Sequence, residues 1–146
     1  MPPRVTTRIR RAETETDWKR CTPVLLELRS NLTATECLRR VRLQTENGYH
    51  LVALERDNQV LAAAGYRVLH SLKWGKYLYV DDLVTLPDHR NQGLGDRLLK
   101  WLTREARKLH CEQIHLDSGV QRHAAHGFYL KNRLHIIAYH FAQTLS

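Results

Sequence analysis

The chain has 146 residues, 42% hydrophobic and 26% charged, with a formal net charge of +8. That length suits one domain with a substantial core, and no apolar run approaches the roughly 18 residues of a membrane span. Cys21, Cys37 and Cys111 are odd in number, far apart and without a CxxC pair. They argue against a disulfide framework and for a reducing, cytoplasmic setting, each as a small buried hydrophobe rather than a nucleophile.

The N-terminus is basic but lacks the apolar segment of a signal peptide. Alternation in Val5, Thr7 and Ile9 predicts a first strand over 4–11. Thr14 or Thr16 then caps a helix with Trp18, Cys21, Leu25 and Leu28 at helical spacing, and Asn31 is placed to end it. Thr33 or Thr35 caps a second helix, with Cys37, Leu38, Val41 and Leu43 apolar and Asn47-Gly48 at its end. Residues 49–55 and 59–70 predict a hairpin turning at Asp57-Asn58. A polar loop, 71–76, carries Trp74-Gly75. The next strand, 77–86, is interrupted by Asp81 and Asp82 and stopped by Pro87.

A helix follows from Leu94 to Leu109, with Leu98, Trp101, Leu102, Ala106 and Leu109 on one stripe. A short strand at 111–116, a helix at 122–131 and a final strand at 134–141 complete the order β-α-α-β-β-β-α-β-α-β. No linker, repeat or low-complexity segment divides it. The expectation is a single α+β (mixed α/β) domain over 1–146.

Between the interrupted strand and the long helix lies Arg90-Asn91-Gln92-Gly93-Leu94-Gly95. A glycine-rich turn opening a helix presents free backbone N–H groups and the positive end of the helix dipole, which together suit phosphate or pyrophosphate. Arg90 adds a permanent cation with a donor fork suited to phosphate. The structural alternative is a tight turn and nothing more. A dinucleotide fold of the Rossmann type is excluded, because neither GxGxxG nor a parallel βαβ start is present.

This turn, after a central strand and in this order of elements, resembles the GNAT acetyltransferase superfamily. Arg90, Gly93 and Gly95 fit the family's pyrophosphate-loop pattern Arg/Gln-x-x-Gly-x-Gly/Ala in register. His126-Gly127-Phe128-Tyr129 fits a second feature, an aromatic-Tyr pair on the next helix. The resemblance is good over 49–141 and looser over the N-terminal helices. It implies a central, mostly antiparallel sheet of six to seven strands flanked by about four helices and splayed at an acetyl-CoA site. One departure stands at Arg133-Leu134, where the family has Gly-Phe. Arg133 must then accept a turn that favours φ > 0, at roughly 1 kcal/mol.

The resemblance further implies an N-acetyltransferase with acetyl-CoA as co-substrate and a primary amine of a small molecule or peptide as acceptor, reacting by direct attack in a ternary complex. The backbone of Asn91, Gln92, Gly93, Leu94, Gly95 and Asp96 would wrap the pyrophosphate, with Arg90 in reach and the Asp96 side chain turned away. Leu83, Val84 and Thr85 would pair with the pantetheine arm along a free strand edge, the Val84 N–H polarising the thioester carbonyl. Tyr129 is the candidate general acid for the departing thiolate. Phe128 packs in the core or on pantetheine, and His126 and Ser118 are candidates for the cofactor channel. An acid must meet the incoming ammonium. Since neighbouring strand residues face opposite sides, only one of Asp81 and Asp82 is expected at the acceptor, Asp82 being favoured. Trp74 is a candidate for the acceptor wall. No metal is expected, although His123 and His126 share a helix face.

Other readings stay open. The charge of +8 also suits a nucleic-acid-binding module or an enzyme acetylating charged tRNA, without a nucleic-acid motif to support either. A GNAT-fold protein that binds acyl-CoA without catalysis would be indifferent to the loss of the Tyr129 hydroxyl. A membrane partner is not expected, and a homodimer is left open. The basic balance favours an acceptor carrying a carboxylate or phosphonate beside its amine; the aromatics, Tyr49 among them, read as core rather than site.

Overall fold

A computed structural model describes Pro2 and residues 5–146; Arg4, where the first strand was expected to start, lies outside them. The chain forms two compact units, Met1–His115 and Leu116–Ser146. No helix among the described residues is long and apolar enough to cross a membrane.

The first unit opens with β1, Thr7–Ala12, and α1, Glu15–Leu28. Thr14 starts α1 through a full capping box: its hydroxyl accepts from the Asp17 N–H, and the Asp17 carboxylate accepts from the Thr14 N–H. Thr33 caps α2, Ala34–Thr45, in the same way on one side. α1 ends at Arg29, short of Asn31, and Gly48 at φ 92 turns the chain out of α2. β2, Tyr49–Arg56, and β3, Gln59–Ser71, form the expected hairpin. Asp57 and Asn58 both have positive φ, 51 and 63, the pairing of conformations that matches a two-residue turn to strand twist.

β4, Gly75–Thr85, starts earlier than its sequence suggests, because Ser71 and His70 pair with Gly75 and Lys76 and shorten the loop to a turn. Asp81 and Asp82 do not interrupt it. Gly65 pairs with Asp82 and Tyr66 with Val80, so Asp81 is the extra residue of a β-bulge. After Pro87–His89, a single 3-10 turn, comes α3, Leu94–Lys108, and then β5, Gln113–Leu116. The sheet order is β1-β2-β3-β4-β5, with the first three pairings antiparallel.

Strand alternation sorts the two faces. Leu51, Ala53, Ala63 and Val84 join Cys21, Val24, Leu25, Cys37 and Val41 of α1 and α2 in one core. The opposite face meets α3, where Arg11 Nη2 donates to Glu105 at 2.7 Å and Tyr66 lies 6.1 Å from Trp101. Leu94, Leu98, Leu99, Leu102 and Ala106 of α3 are buried there; Leu98, Leu102 and Ala106 are of the stripe read from the sequence, whose Trp101 and Leu109 are only half-buried.

The second unit holds α4, His123–Lys131, which ends at Asn132. Arg133 follows at φ 69, the left-handed turn expected of it. The final strand over 134–141 is absent, so the sheet has five strands among the described residues rather than six or seven. Its apolar residues are a propensity only, and a strand also needs hydrogen bonds from a neighbour and a covered face. Ile136, Ile137, Tyr139 and Phe141 have no such cover and are mostly exposed.

One charged network ties β1, β2 and α1. Glu55, only 2% exposed, accepts from Arg10 and Arg20 at 3.0 and 2.8 Å, with Arg8 at 3.5 Å, and Arg10 also reaches Asp17 at 2.8 Å. Burial by itself would raise both carboxyls; for Glu55 the guanidinium groups outweigh it, and for Asp17 Arg10 and the helix cap do, so both sit below their ordinary values. Depressed carboxyls stabilise above the unfolded-state values and lose that contribution as pH falls through the folded ones. The thermal midpoint should therefore drop between about pH 5 and pH 3, and Glu55→Gln should flatten that slope. An equal slope in the variant would remove Glu55 from the cause.

Candidate active site

The turn before α3 has the form that suits an anion. Gly93 is the N-cap in the left-handed conformation, φ 76, and no side chain caps the first turn. A Cβ at Gly93 would meet nothing within 4 Å, so the glycine is there for its backbone angle and the ground above it is open. Asn91 is also left-handed, φ 63. Arg90 is exposed, and Arg56 donates to the Gln92 side chain at 3.2 Å, adding a second cation beside the turn. Asp96 faces Lys100 at 2.7 Å, one turn along α3, which turns its charge away from the helix start. Leu83, Val84 and Thr85 pair with Ala64, Ala63 and Ala62 on the β3 side. On the other side of β4 stands β5, four residues against eleven.

Asp81 and Asp82 lie together in a cavity of about 210 Å³ bounded by α1, α2, β2 and β4. The two neighbours were expected to face opposite sides of the strand; both line this cavity, and the bulge is the reason. Leu83 pairs with Ala64, two residues from Tyr66, the partner of Val80; Val80 and Leu83 thus share one face, which leaves both carboxylates on the other. Each carboxylate is held by an arginine. Arg67 grips Asp81 with two donors at 2.8 and 2.9 Å. Arg29 donates from Nε to Asp82 Oδ1 at 3.0 Å and from Nη2 to the Asp81 carbonyl at 2.9 Å. The Tyr49 hydroxyl donates to Asp82 Oδ2 at 2.7 Å. Burial, and then the Asp82 charge, push the Tyr49 phenol well above its ordinary value. Arg40 lines the cavity from α2 and donates to Glu36 at 2.9 Å; with Arg39 it holds that carboxyl down at about 2, the Arg39 hydrogen bonds contributing most.

Sequence reasoning missed Tyr49, Arg29 and Arg67 here. The one local signal was Gly65, a lone glycine inside a strand pattern, which marks a bulge or a close approach. Trp74 does not line the cavity. It stacks on His115 at 4.0 Å and meets Tyr77 edge-on at 5.4 Å. Burial pushes the Cys21 thiol up to about 12 and raises Cys37 and Cys111 as well, which weighs against a thiolate at any of them.

In the second unit, Phe128 and Tyr129 are half-buried neighbours on α4, ring centroids 5.4 Å apart. Burial raises the Tyr129 phenol, with Arg122 pulling weakly the other way. The His126 ring stands 2.7 Å from the Gly119 carbonyl. The Ser118 hydroxyl is buried without a hydrogen-bond partner.

A glycine-opened helix start at the end of a central antiparallel strand, and a carboxylate-lined cavity on the face of that strand, stand in a mixed α+β fold. The chain belongs to the acetyltransferase (GNAT) family, which matches residues 10–133, and it is an acetyltransferase. It is 35% identical over 115 residues to YhdJ, an uncharacterised N-acetyltransferase of Bacillus subtilis (strain 168), a match spanning 77% of this chain and 80% of that one. An aminoalkylphosphonate N-acetyltransferase of Salmonella typhimurium (strain LT2) is 39% identical over 64 residues, 43% of this chain and 40% of its own. Among solved structures, an aminoglycoside N-acetyltransferase crystallised with CoA superposes with a TM-score of 0.85 at 11% identity, covering 99% of this chain and 98% of that one. At that identity the likeness is one of fold.

Proposed function

We propose that this enzyme moves an acetyl group from acetyl-CoA to the primary amine of a small molecule that also carries an acid group, by direct attack in a ternary complex. The observation that carries the reading is the charged cavity, with Asp81, Asp82, Arg29 and Arg40 on its walls. A volume of about 210 Å³ suits a small acceptor. The carboxylates suit its ammonium, and Arg40, with Arg29, suits a carboxylate or phosphonate. The acceptor of the Salmonella relative is an amine of this kind. Arg8 and Arg10 are engaged with Glu55 and Arg11 with Glu105, carboxylates of the fold, which takes the arginines of β1 away from a nucleic-acid face.

In this reading, the turn from Arg90 to Asp96 holds the pyrophosphate on backbone N–H groups, and the end of β4, Leu83 to Thr85, holds the pantetheine arm. Ser118, with its unsatisfied buried hydroxyl, His126 and Phe128 are the second unit's candidates for contact with the cofactor. The acceptor ammonium gives up a proton toward Asp82, directly or through water. Its nitrogen then attacks the thioester carbonyl. Leu86 donates to the Leu61 carbonyl, so the Val84 N–H two residues earlier is turned toward β3 and not, as expected, toward the thioester. The developing oxyanion falls to an N–H on the other edge of β4, that of Leu83 or Thr85. As the intermediate collapses, the C–S bond breaks, the sulfur takes the proton of the Tyr129 hydroxyl, and the nitrogen loses its second proton, which returns through water to the Tyr129 oxygen. The products are the acetamide and CoA.

Thiol release from acetyl-CoA, measured across aminomethylphosphonate, glycine, spermidine and kanamycin, tests this. The expected result is turnover with aminomethylphosphonate or glycine ahead of the two polycations. Faster turnover with spermidine or kanamycin would overturn the acid-bearing acceptor, and no release with any amine, together with no CoA binding by calorimetry, would overturn the enzyme reading.

A further inference from the structure

Tyr49 stands at the start of β2, only 3% exposed, and neither the turn before α3 nor the general acid accounts for it. Its ring lies over Gly65: a Cβ there would stand 1.7 Å from the Tyr49 hydroxyl oxygen and 2.2 Å from Cζ. Gly65 is not one of the positive-φ glycines, so space and not backbone angle requires it. Gly65 is also the register partner of Asp82. The missing side chain on β3 is thus what lets a phenol from β2 cross that strand and reach a carboxylate on β4, 33 residues away in sequence, at 2.7 Å.

The result is a carboxylate held from both ends. Oδ2 accepts from Tyr49, and Oδ1 accepts from Arg29 at 3.0 Å. A carboxylate has about four lone-pair positions, so each oxygen keeps acceptor capacity for a further donor. A neutral phenol fixes the orientation without adding a second full cation beside that of Arg29, so the site can still attract an ammonium. Burial keeps the phenol in the protonated form in which it donates.

We propose that Tyr49, admitted by Gly65, is a positioning residue that fixes Asp82 for the acceptor amine. The proposal rests on the reading of this cavity as the acceptor site. It requires Tyr49 to act through Asp82 and on the amine side only.

The test is a double-mutant cycle on the full chain, with Tyr49→Phe, Asp82→Asn and the double variant assayed with aminomethylphosphonate, or with spermidine if that is turned over faster. Thermal midpoints are recorded in parallel. Tyr49→Phe should lower kcat/KM for the amine by about tenfold, the cost of one hydrogen bond to a charged group. The KM for acetyl-CoA should stay within about twofold, since no binding contact of the thioester is touched. In the Asp82→Asn background the same change should have little further effect, because the group it positions is gone. Multiplicative losses, an equal rise in both KM values, or an unchanged Tyr49→Phe enzyme would each overturn the proposal. A merely structural role would lower the midpoint and leave the cycle additive, which also overturns it. If wild type transfers acetyl to no amine, the cavity reading fails first, before any variant is compared.

Discussion

Replacing Gly65 by Ala should cost about 3 kcal/mol of stability, toward the upper end of what overpacking a buried site produces, and should lower kcat/KM for the amine at least as much as Tyr49→Phe. The added Cβ would overlap the rigid Tyr49 ring, not a flexible side-chain end, so either the ring or β3 must move. Moving the ring breaks its hydrogen bond to Asp82; moving β3 disturbs the bulge that puts Asp81 and Asp82 on one face. Gly48→Ala provides the contrast. There a Cβ meets nothing within 4 Å and the φ of 92 is the sole obstacle, so the cost should be about 1 kcal/mol with activity retained. Urea midpoints of the two variants, with their kinetics, separate the cases. Equal midpoints and wild-type kinetics for Gly65→Ala would contradict the close approach.

Tyr129→Phe should reduce kcat by about a hundredfold, within the range that a positioned general acid contributes, while leaving both KM values near wild type. The phenylalanine preserves the ring that packs beside Phe128 and removes only the proton donor. Because burial raises the Tyr129 phenol, the donating form persists beyond an ordinary phenol value of about 10. Its ionisation should therefore put no basic limb on the wild-type kcat profile below that pH. A variant with full kcat would strike Tyr129 from the mechanism and favour binding without a general acid.

Local signals made part of this molecule readable in advance. The Thr14 and Asp17 capping box, the apolar stripe of α3, the Asp57-Asn58 turn and the glycine-opened helix are all written within a few neighbouring residues. The cavity of Asp81 and Asp82 is not. It depends on which residue of β3 faces Asp82, and register is a non-local property decided by packing across the whole sheet. The Asp81-Asp82 doublet therefore looked like a break in β4 when it is a bulge within it. Tyr49 looked like core because its apolar ring is core; its hydroxyl acquires a role only from a carboxylate 33 residues on. The error at 134–141 has the same origin. The apolar residues there were legible, and the absence of a partner strand was not.

The central claim is that one strand, β4, presents the acceptor carboxylates on one face and leads into the pyrophosphate turn at its end. A crystal structure with CoA and aminomethylphosphonate tests it most directly. The expected density places the pyrophosphate on the backbone N–H groups of Gln92 to Asp96 and the amine nitrogen within hydrogen-bond distance of Asp82, with the phosphonate toward Arg40. CoA bound away from the turn, or the amine bound outside the cavity of Tyr49, Asp81 and Asp82, would contradict it.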